Sequence, residues 1–240
     1  MRCLMSLKIA VFRAFRPCVA VLALLAIGAC AQATAAGDAA AVPASLTDVA
    51  AGTPGQMQTA VFAGGCFWGI QAVFQHVKGV QSAVSGYAGG DAHDASYDEV
   101  GSGNTGHAES VEVTYDPTQV SYGRLLEVFF AVAHDPTQLD RQGPDYGSQY
   151  RSALFTTSAD QQRVAQAYIA QLNSAKVFRA PIVTVVSPLR ALYRAEQYHQ
   201  DYARLHPENR YIVINDAPKV ALLRLQFADL YFATPAITRG

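Results

Sequence analysis

The chain has 240 residues, of which 50% are hydrophobic and 15% charged, so it has enough apolar material for one folded domain with a core. Its formal net charge is -1, and no cluster of Lys and Arg follows residue 30. This pattern excludes a nucleic-acid-binding surface, which would need a basic patch or stripe.

The N-terminal segment has the order of an export signal. Four basic residues within the first 16 precede an uninterrupted apolar run over residues 19–27. That run is far shorter than the ~20 residues that a membrane-spanning helix needs. We therefore predict that residues 1–29 direct the chain to the periplasm.

Residues 27–30, Ile-Gly-Ala-Cys, resemble a bacterial lipobox, in which the cysteine is acylated and becomes the new N-terminus. Lipidation of Cys30 would anchor the mature chain to the envelope membrane. Simple cleavage among the small residues 31–36 is the alternative, and the sequence leaves both open. Residues 30–57, rich in Ala, Gly, Thr and Pro, are predicted to form a flexible tether.

The periodic part of the chain begins after this tether. Residues 58–63 and 80–87 have strand patterns, and helical spacing over residues 67–77 lies between them. Residues 91–108 are predicted to form a loop because they are dense in Gly, Asp, Ser and Asn. Residues 111–115 alternate apolar and polar side chains, which indicates a half-buried strand.

The second half of the chain continues this alternation of strands and helices. Ser121 and Ser158 are predicted to cap two helices. The other predicted elements are a loop at 134–149, strands at 151–157 and 183–186, and helices at 193–205 and 219–231.

This order predicts an α+β fold, a two-layer α/β sandwich of ferredoxin-like type with long Gly-rich loops. Crossover helices are missing between several strands, which argues against a doubly wound sheet. We assign the catalytic domain to residues 58–212, with residues 213–240 as a C-terminal extension packing on it.

Cys66 is the most informative residue of the predicted domain. The other cysteines are Cys3 and Cys18, which leave with the signal, and Cys30, which is acylated or removed. The mature domain would therefore have one free thiol, in a compartment where cysteines are normally paired. A structural, buried cysteine is the alternative to a reactive one.

The residues around Cys66 favour a reactive thiol. Gly64 and Gly65 precede it at a strand-to-helix junction, and Trp68 follows. A helix N-terminus can lower a thiol pKa from ~8.5 to ~3.5–7.5, which predicts a thiolate nucleophile. Histidines suggest a metal at first, but neither their spacing nor a second cysteine provides a ligand set, so no metal is predicted. The histidines concerned are His107, His134 and His199, the last assigned to packing against the site.

Several motifs after Cys66 give the thiol a substrate. The ordered motifs are Gly64–Gly69, Gly86–Gly90, Tyr97–Val100, Gly106–Glu109, Tyr115–Pro117, His134–Thr137 and Gln142–Ser152. Together they closely resemble the A-type peptide methionine sulfoxide reductases, over roughly residues 58–212. The resemblance implies reduction of methionine (S)-sulfoxide, free or in proteins, which repairs oxidative damage.

The resemblance also implies a role for each matching residue. Cys66 matches the nucleophile that attacks the sulfoxide sulfur, and Phe67 and Trp68 match the residues that hold the substrate methyl group. The residues matched to the surroundings of the sulfoxide oxygen are Tyr97, Glu109, Tyr150 and Asp145, with Glu109 as the acid. A carboxyl can protonate that oxygen near neutrality only if its pKa is raised, as an apolar pocket would do.

The sequence departs from the family pattern in two places. Pro144 stands where asparagine is frequent, which should stiffen the loop beside Asp145. Many members also carry C-terminal cysteines that resolve the oxidised nucleophile, whereas no cysteine follows Cys66 here. We therefore expect that an external thiol, either a thioredoxin-like protein or a small thiol, reduces the sulfenic acid. We also expect a monomer without a cofactor.

Two other functions are compatible with an exported single-thiol protein. A thiol peroxidase also uses one reactive cysteine, but the Thr or Arg that would polarise the peroxide is not close to Cys66 in the sequence. A non-catalytic envelope lipoprotein that binds oxidised peptides would need no reactive thiol at all. Peroxide turnover and the effect of Cys66→Ser distinguish these functions from the reductase.

Overall fold

The computed structural model describes residues 42–238, so the predicted export signal, Cys30 and the first part of the tether lie outside the described residues. Its longer elements are β1 (Gln58–Gly64), α1 (Phe67–Gln75), β2 (Val80–Ala88), α2 (Tyr97–Gly101), β3 (Ala108–Tyr115), α3 (Tyr122–Val128), β4 (Arg141–Gln142), β5 (Asp145–Tyr146), β6 (Ser152–Thr156), α4 (Ala159–Ser174), β7 (Val185–Pro188), β8 (Leu192–Arg194), α5 (Tyr202–Leu205) and α6 (Ala217–Gln226). Within the described range, no helix is long and apolar enough to cross a membrane.

Six of the strands form one sheet in the order β7-β6-β1-β3-β2-β8. All neighbouring pairs are antiparallel except β6 and β7, which are parallel. The inner strands β6-β1-β3-β2, with α1 after β1 and α3 after β3, form the βαββαβ arrangement of ferredoxin-like folds. The predicted α+β class is confirmed.

The main core lies between the sheet and the helices. Phe62 on β1 is fully buried and stacks on Phe74 of α1, with 4.4 Å between ring centroids. The opposite face of the sheet has a smaller apolar cluster that includes Ala63, Ala108 and Phe155. Alternation along each strand thus supplies apolar side chains to both faces, and Phe62 and Phe74 belong to the larger cluster on the helix side.

Both predicted helix caps are present. The Ser121 hydroxyl accepts a hydrogen bond from the Arg124 N–H at the start of α3, at 3.3 Å. The Ser158 hydroxyl accepts one from the Gln161 N–H at the start of α4, at 3.1 Å. Each cap satisfies a backbone donor that has no partner within its own helix.

The prediction of one helix over residues 193–205 was wrong. Residues Leu192–Arg194 form the edge strand β8, Gln197–His199 form one 3₁₀ turn, and only Tyr202–Leu205 are α-helical. The apolar spacing there arises from side chains that contact different partners, since β8 pairs with β2. The predicted loop over 91–108 contains the short helix α2, and α6 ends at Gln226.

Part of the predicted tether contacts the domain in the described structure. Asp48 accepts hydrogen bonds from the Ser121 hydroxyl and, at 2.8 Å, from the Gly123 N–H at the start of α3. The Tyr168 hydroxyl donates to the Pro43 carbonyl at 2.7 Å. These contacts hold the segment from Pro43 to Asp48 against α3 and α4.

Residues of the C-terminal extension pack on the rest of the domain. Leu223, Phe227 and Leu230 are buried in the main core cluster. Further along, the Thr238 hydroxyl donates to the Ala83 carbonyl on β2 at 2.9 Å. The extension therefore contributes apolar area to the same core as the predicted catalytic domain.

Candidate active site

Cys66 lies where the central strand β1 ends and α1 begins, as the N-cap residue of the helix. The chain reaches this position through Gly65, whose φ of +93° is unfavourable for any residue with a Cβ. A Cβ added at Gly65 would also lie 2.5 Å from the Gln142 side chain. Glycine is therefore required both for the turn and for the approach of the β4–β5 hairpin.

A cavity of about 210 Å³ opens beside the thiol. It is lined by Cys66, Phe67, Trp68, Tyr97, Glu109, Asp145, Tyr150 and Tyr211. The first seven are the site residues predicted from the sequence, and the fold brings them together from five separate stretches of the chain. Tyr211 is the one that the sequence analysis did not identify.

Glu109 reaches the cavity from β3, in the middle of the sheet. It faces Tyr87 across the β2–β3 pairing, and its side chain is only 4% exposed. The Phe67 N–H, in the first turn of α1, donates a hydrogen bond to Glu109 Oε2 at 3.0 Å. Glu109 is thereby fixed at the helix N-terminus beside Cys66.

Burial governs the charge of Glu109. Removal from water, reinforced by the negative charges of Asp145 and Asp216, raises its pKa from 4.5 to about 8, although the Phe67 N–H acts against this rise. Glu109 is therefore protonated at neutral pH and can donate a proton. This is the property that the sequence analysis required of the acid.

The thiol behaves differently from the prediction of a low pKa. Burial raises the pKa of Cys66 well above its ordinary value, and the carboxylates of Glu109 and Asp216 add to the rise. The Trp68 backbone N–H and the Lys219 ammonium act in the opposite direction but are weaker. Placement at a helix N-terminus is thus outweighed by burial beside two carboxyls, which the local sequence does not reveal.

An aromatic wall forms the other side of the cavity. The Trp68 indole stacks on Tyr202 at 3.8 Å between centroids and 9° between planes, and the Tyr211 ring meets its edge at 85°. Phe67 is buried against Tyr87, with centroids 5.9 Å apart. Such a wall suits an apolar methyl group beside the sulfur.

Hydroxyl and carboxyl groups complete the polar side of the site. Burial, with the nearby charge of Glu109, raises the pKa of both Tyr97 and Tyr150, so both hydroxyls keep their protons and can donate hydrogen bonds. Asp145 accepts a short hydrogen bond from the Tyr211 hydroxyl. Burial raises the Asp145 pKa, while this bond and Lys219 lower it.

The end of the assigned catalytic domain and the start of the C-terminal extension contribute residues that the sequence analysis did not identify. Tyr211 precedes a π-helical turn over Ile212–Asp216, and Asp216 is fully buried with Lys219 3.2 Å away. A Cβ on Gly69, in the first turn of α1, would lie 2.1 Å from Asp216 Oδ1. No local pattern marks these residues, because they reach the site only through the packing of residues 211–219 beside α1.

The three histidines do not form a metal centre. Among residues 42–238, no group of three or more His, Cys, Asp and Glu side chains could hold a metal ion. His134 bonds to the Phe129 carbonyl and the Ser152 hydroxyl, and burial lowers its pKa to about 4. His107 lies between the Gly90 N–H and the Asp91 carbonyl. His199 accepts a hydrogen bond from the Trp68 indole N–H.

A ferredoxin-like fold with one buried thiol, a protonated carboxyl and an aromatic wall defines a thiol-dependent oxidoreductase. Residues 58–230 match the sequence profile of the family described as peptide methionine sulfoxide reductase. The chain belongs to this family.

Individual relatives agree with this assignment. The chain is 58% identical over 180 residues to a peptide methionine sulfoxide reductase MsrA 2 of Mesorhizobium japonicum, a match that covers 75% of this chain and 92% of the relative. Its structure is similar to that of methionine sulfoxide reductase A of Corynebacterium diphtheriae, with a TM-score of 0.55, 37% identity and coverage of 70% and 84% of the two chains. The structure is also similar to that of reduced Mxr1 from Saccharomyces cerevisiae, with a TM-score of 0.60 and 31% sequence identity. This match covers 65% of this chain and 90% of Mxr1.

Proposed function

We propose that this protein reduces methionine (S)-sulfoxide, free or within proteins, to methionine, with Cys66 as the nucleophile. The observation that carries the proposal is the placement of Cys66, the buried Glu109 and the Trp68 wall around one cavity of about 210 Å³. Membership of the family and the names of the relatives support the same reaction.

The first half-reaction transfers the sulfoxide oxygen to the thiol. The Cys66 thiolate forms a bond to the substrate sulfur while Glu109 protonates the sulfoxide oxygen, and the hydroxyls of Tyr97 and Tyr150 stabilise the charge that develops there. Phe67 and Trp68 hold the methyl group. The oxygen is then transferred to the Cys66 sulfur as the substrate sulfur–oxygen bond and the new sulfur–sulfur bond both break. Methionine leaves, reduced by two electrons, and Cys66 becomes a sulfenic acid, oxidised by two electrons.

The second half-reaction needs thiols from outside the chain. No cysteine lies within residues 67–240, so this stretch holds no thiol that could resolve the sulfenic acid of Cys66. One external thiol attacks the sulfenic sulfur and releases water, and a second thiol displaces Cys66 as a free thiol. A thioredoxin-like protein would supply both thiols, and so would two molecules of a small thiol.

The direct test measures loss of methionine (S)-sulfoxide with dithiothreitol as the reductant. The unsubstituted (parent) protein should reduce the sulfoxide, whereas Cys66→Ser should lose essentially all activity. Parent protein treated with substrate and no reductant should carry one sulfenic acid that reacts with dimedone. Turnover of hydrogen peroxide without turnover of sulfoxide would instead indicate a thiol peroxidase. Full function of Cys66→Ser in binding oxidised peptides would indicate a non-catalytic protein.

We also propose that the chain acts in the periplasm, anchored to the envelope membrane through an acylated Cys30. The proposal is supported by the basic and apolar pattern of residues 1–29 and the Ile-Gly-Ala-Cys sequence that follows. Intact mass of the mature protein should show a lipid-modified N-terminal Cys30. Cys30→Ala should release the protein from the membrane fraction, and an unmodified N-terminus among residues 31–36 would establish simple cleavage instead.

A further inference from the structure

We infer that His199 is a positioning residue for the methyl-binding wall: it fixes the Trp68 indole through one hydrogen bond to the ring N–H. The inference deepens the proposed function, since it concerns how the same cavity recognises the sulfoxide. The Trp68 Nε1–H donates to His199 Nδ1 at 3.1 Å. The two residues are 131 apart in the chain, so tertiary packing alone brings them together.

The direction of this hydrogen bond settles the proton position on His199. An indole nitrogen can only donate, so Nδ1 must accept and the single proton of the neutral ring lies on Nε2. Nε2 has no hydrogen-bond partner among residues 42–238. Burial lowers the pKa of His199, although Glu196 opposes this, which favours the neutral ring that the bond requires.

The imidazole is itself held rigidly at the edge of the site. His199 is 2% exposed, and its ring lies 5.1 Å from Phe67 and 4.3 Å from Tyr97, measured between centroids. Three residues earlier, Glu196 accepts hydrogen bonds from the Tyr87 hydroxyl at 2.8 Å and the Tyr97 N–H at 2.9 Å. The segment that carries His199 is therefore tied to β2 and to α2.

The bond acts on an indole whose other contacts are with rings: it stacks on Tyr202 and meets Tyr211 at 85°. Trp68 is partly exposed and has a flat contact with Tyr202, which restrains tilt but not rotation within the ring plane. The hydrogen bond to His199 is the directional restraint, because it fixes the position of the ring N–H itself. It should therefore set how closely the indole approaches a methyl group bound beside Cys66.

This role predicts a specific change in kinetics. Trp68 touches the methyl group both in the bound substrate and in the transition state, so a misplaced indole should raise KM and leave kcat nearly unchanged. Loss of one hydrogen bond corresponds to a rise in KM of about 3- to 10-fold. A residue that merely supported the fold would lower the amount of active enzyme and leave KM unaltered.

A matched pair of variants separates the hydrogen bond from the packing of the ring. His199→Phe keeps an aromatic ring but removes the acceptor, whereas His199→Asn loses the ring but keeps an oxygen where Nδ1 lies. We expect His199→Phe to raise KM by about 3- to 10-fold, and His199→Asn to stay within about twofold of the parent. The reverse order, or equal KM values for both variants in folded protein, would overturn the inference.

Fluorescence gives a readout that does not depend on activity. Trp68 is the single tryptophan of the sequence, so emission reports on this indole alone. His199→Phe should shift the emission to shorter wavelength, because the indole loses its hydrogen bond, and His199→Asn should restore the parent spectrum. If the parent reduced no sulfoxide, the proposed function would fail, yet these spectra would still test the bond.

A change on the indole itself covers the case in which His199→Phe does not fold. Biosynthetic replacement of the single tryptophan by its benzothiophene analogue removes the Nε1–H donor and keeps the ring shape. The substituted protein should show the same 3- to 10-fold rise in KM at nearly constant kcat, which is about what one neutral hydrogen bond is worth. A KM equal to that of the parent would refute the positioning role.

Discussion

At the residue scale, the carboxylate of Glu109 opposes ionisation of the Cys66 thiol, because it raises the thiol pKa. The pKa of Glu109 is raised to about 8 and that of Cys66 lies well above 9.0, so the first proton leaves the pair near pH 8. The productive form has also lost one proton, with the charge on sulfur and the remaining proton on Glu109. We expect kcat/KM to rise as pH passes about 8 and to fall when the second proton leaves, giving a bell-shaped profile.

Glu109→Gln tests this coupling. The glutamine amide can still accept a hydrogen bond from the Phe67 N–H but cannot protonate the sulfoxide, so kcat should fall by roughly 10²- to 10⁴-fold. The falling limb of the pH profile of kcat/KM should also disappear. Alkylation of Cys66 above pH 8 should become faster, because the neighbouring carboxylate is gone. An unchanged alkylation rate would show that Glu109 does not influence the thiol.

The same substitution should increase stability at alkaline pH. A carboxyl whose folded-state pKa is raised from 4.5 to about 8 favours folding below about pH 4.5, and this contribution is lost as pH rises through about 8. Glu109→Gln avoids the buried charge. Thermal unfolding measured from pH 5 to 9.5 should show the parent protein losing stability relative to Glu109→Gln as pH rises. Parallel plots of unfolding midpoint against pH for the two proteins would contradict the raised pKa of Glu109.

At the scale of elements, the junction between β1 and α1 depends on Gly65. Gly65→Ala must hold φ near +93° and place a methyl group against Gln142, so we expect more than about 1 kcal/mol of destabilisation and reduced activity. Gly55→Ala is the matched control, since its φ is +85° and a Cβ there meets nothing within 4 Å. If denaturant unfolding gave the same loss of unfolding free energy for Gly65→Ala and Gly55→Ala, crowding by Gln142 would have no effect on stability.

The contact between α1 and the C-terminal extension controls the charge near the thiol. Asp216 raises the pKa of Cys66 and Lys219 lowers it, from positions beside the first turn of the helix. Asp216→Asn should therefore accelerate alkylation of Cys66 at fixed pH by about 3- to 10-fold, and Lys219→Met should slow it. Iodoacetamide kinetics measure both rates, and changes of the same sign would exclude an electrostatic cause.

At the scale of the whole molecule, the segment before β1 acts as an additional cap on the domain. Asp48→Ala leaves the Gly123 N–H at the start of α3 without its carboxylate partner, so stability should fall by about 1 kcal/mol with activity unchanged. Asp48→Asn keeps an acceptor and should retain most of the stability. Equal unfolding midpoints for the two variants would show that the cap contributes nothing.

Local chemistry made much of this molecule predictable. The period-2 and helical patterns gave the strands β1, β2 and β3 and the helices α1, α3 and α4, and the serine caps at residues 121 and 158 were correct. Patterning failed over residues 193–205, where consecutive side chains contact β2, α2 and α1 in turn. A spacing rule assumes one buried face, and this segment has several.

The sequence by itself determined the fold class, the absence of a cysteine between Cys66 and residue 240, and seven of the eight residues that line the cavity. Only the tertiary structure decided the charge of that site. Burial and the carboxylates of Glu109 and Asp216 raise the pKa of Cys66 against the effect of the helix N-terminus. Tyr211 and His199 likewise act through contacts across 66 and 131 residues, because desolvation and long-range contacts exist only once the chain has folded.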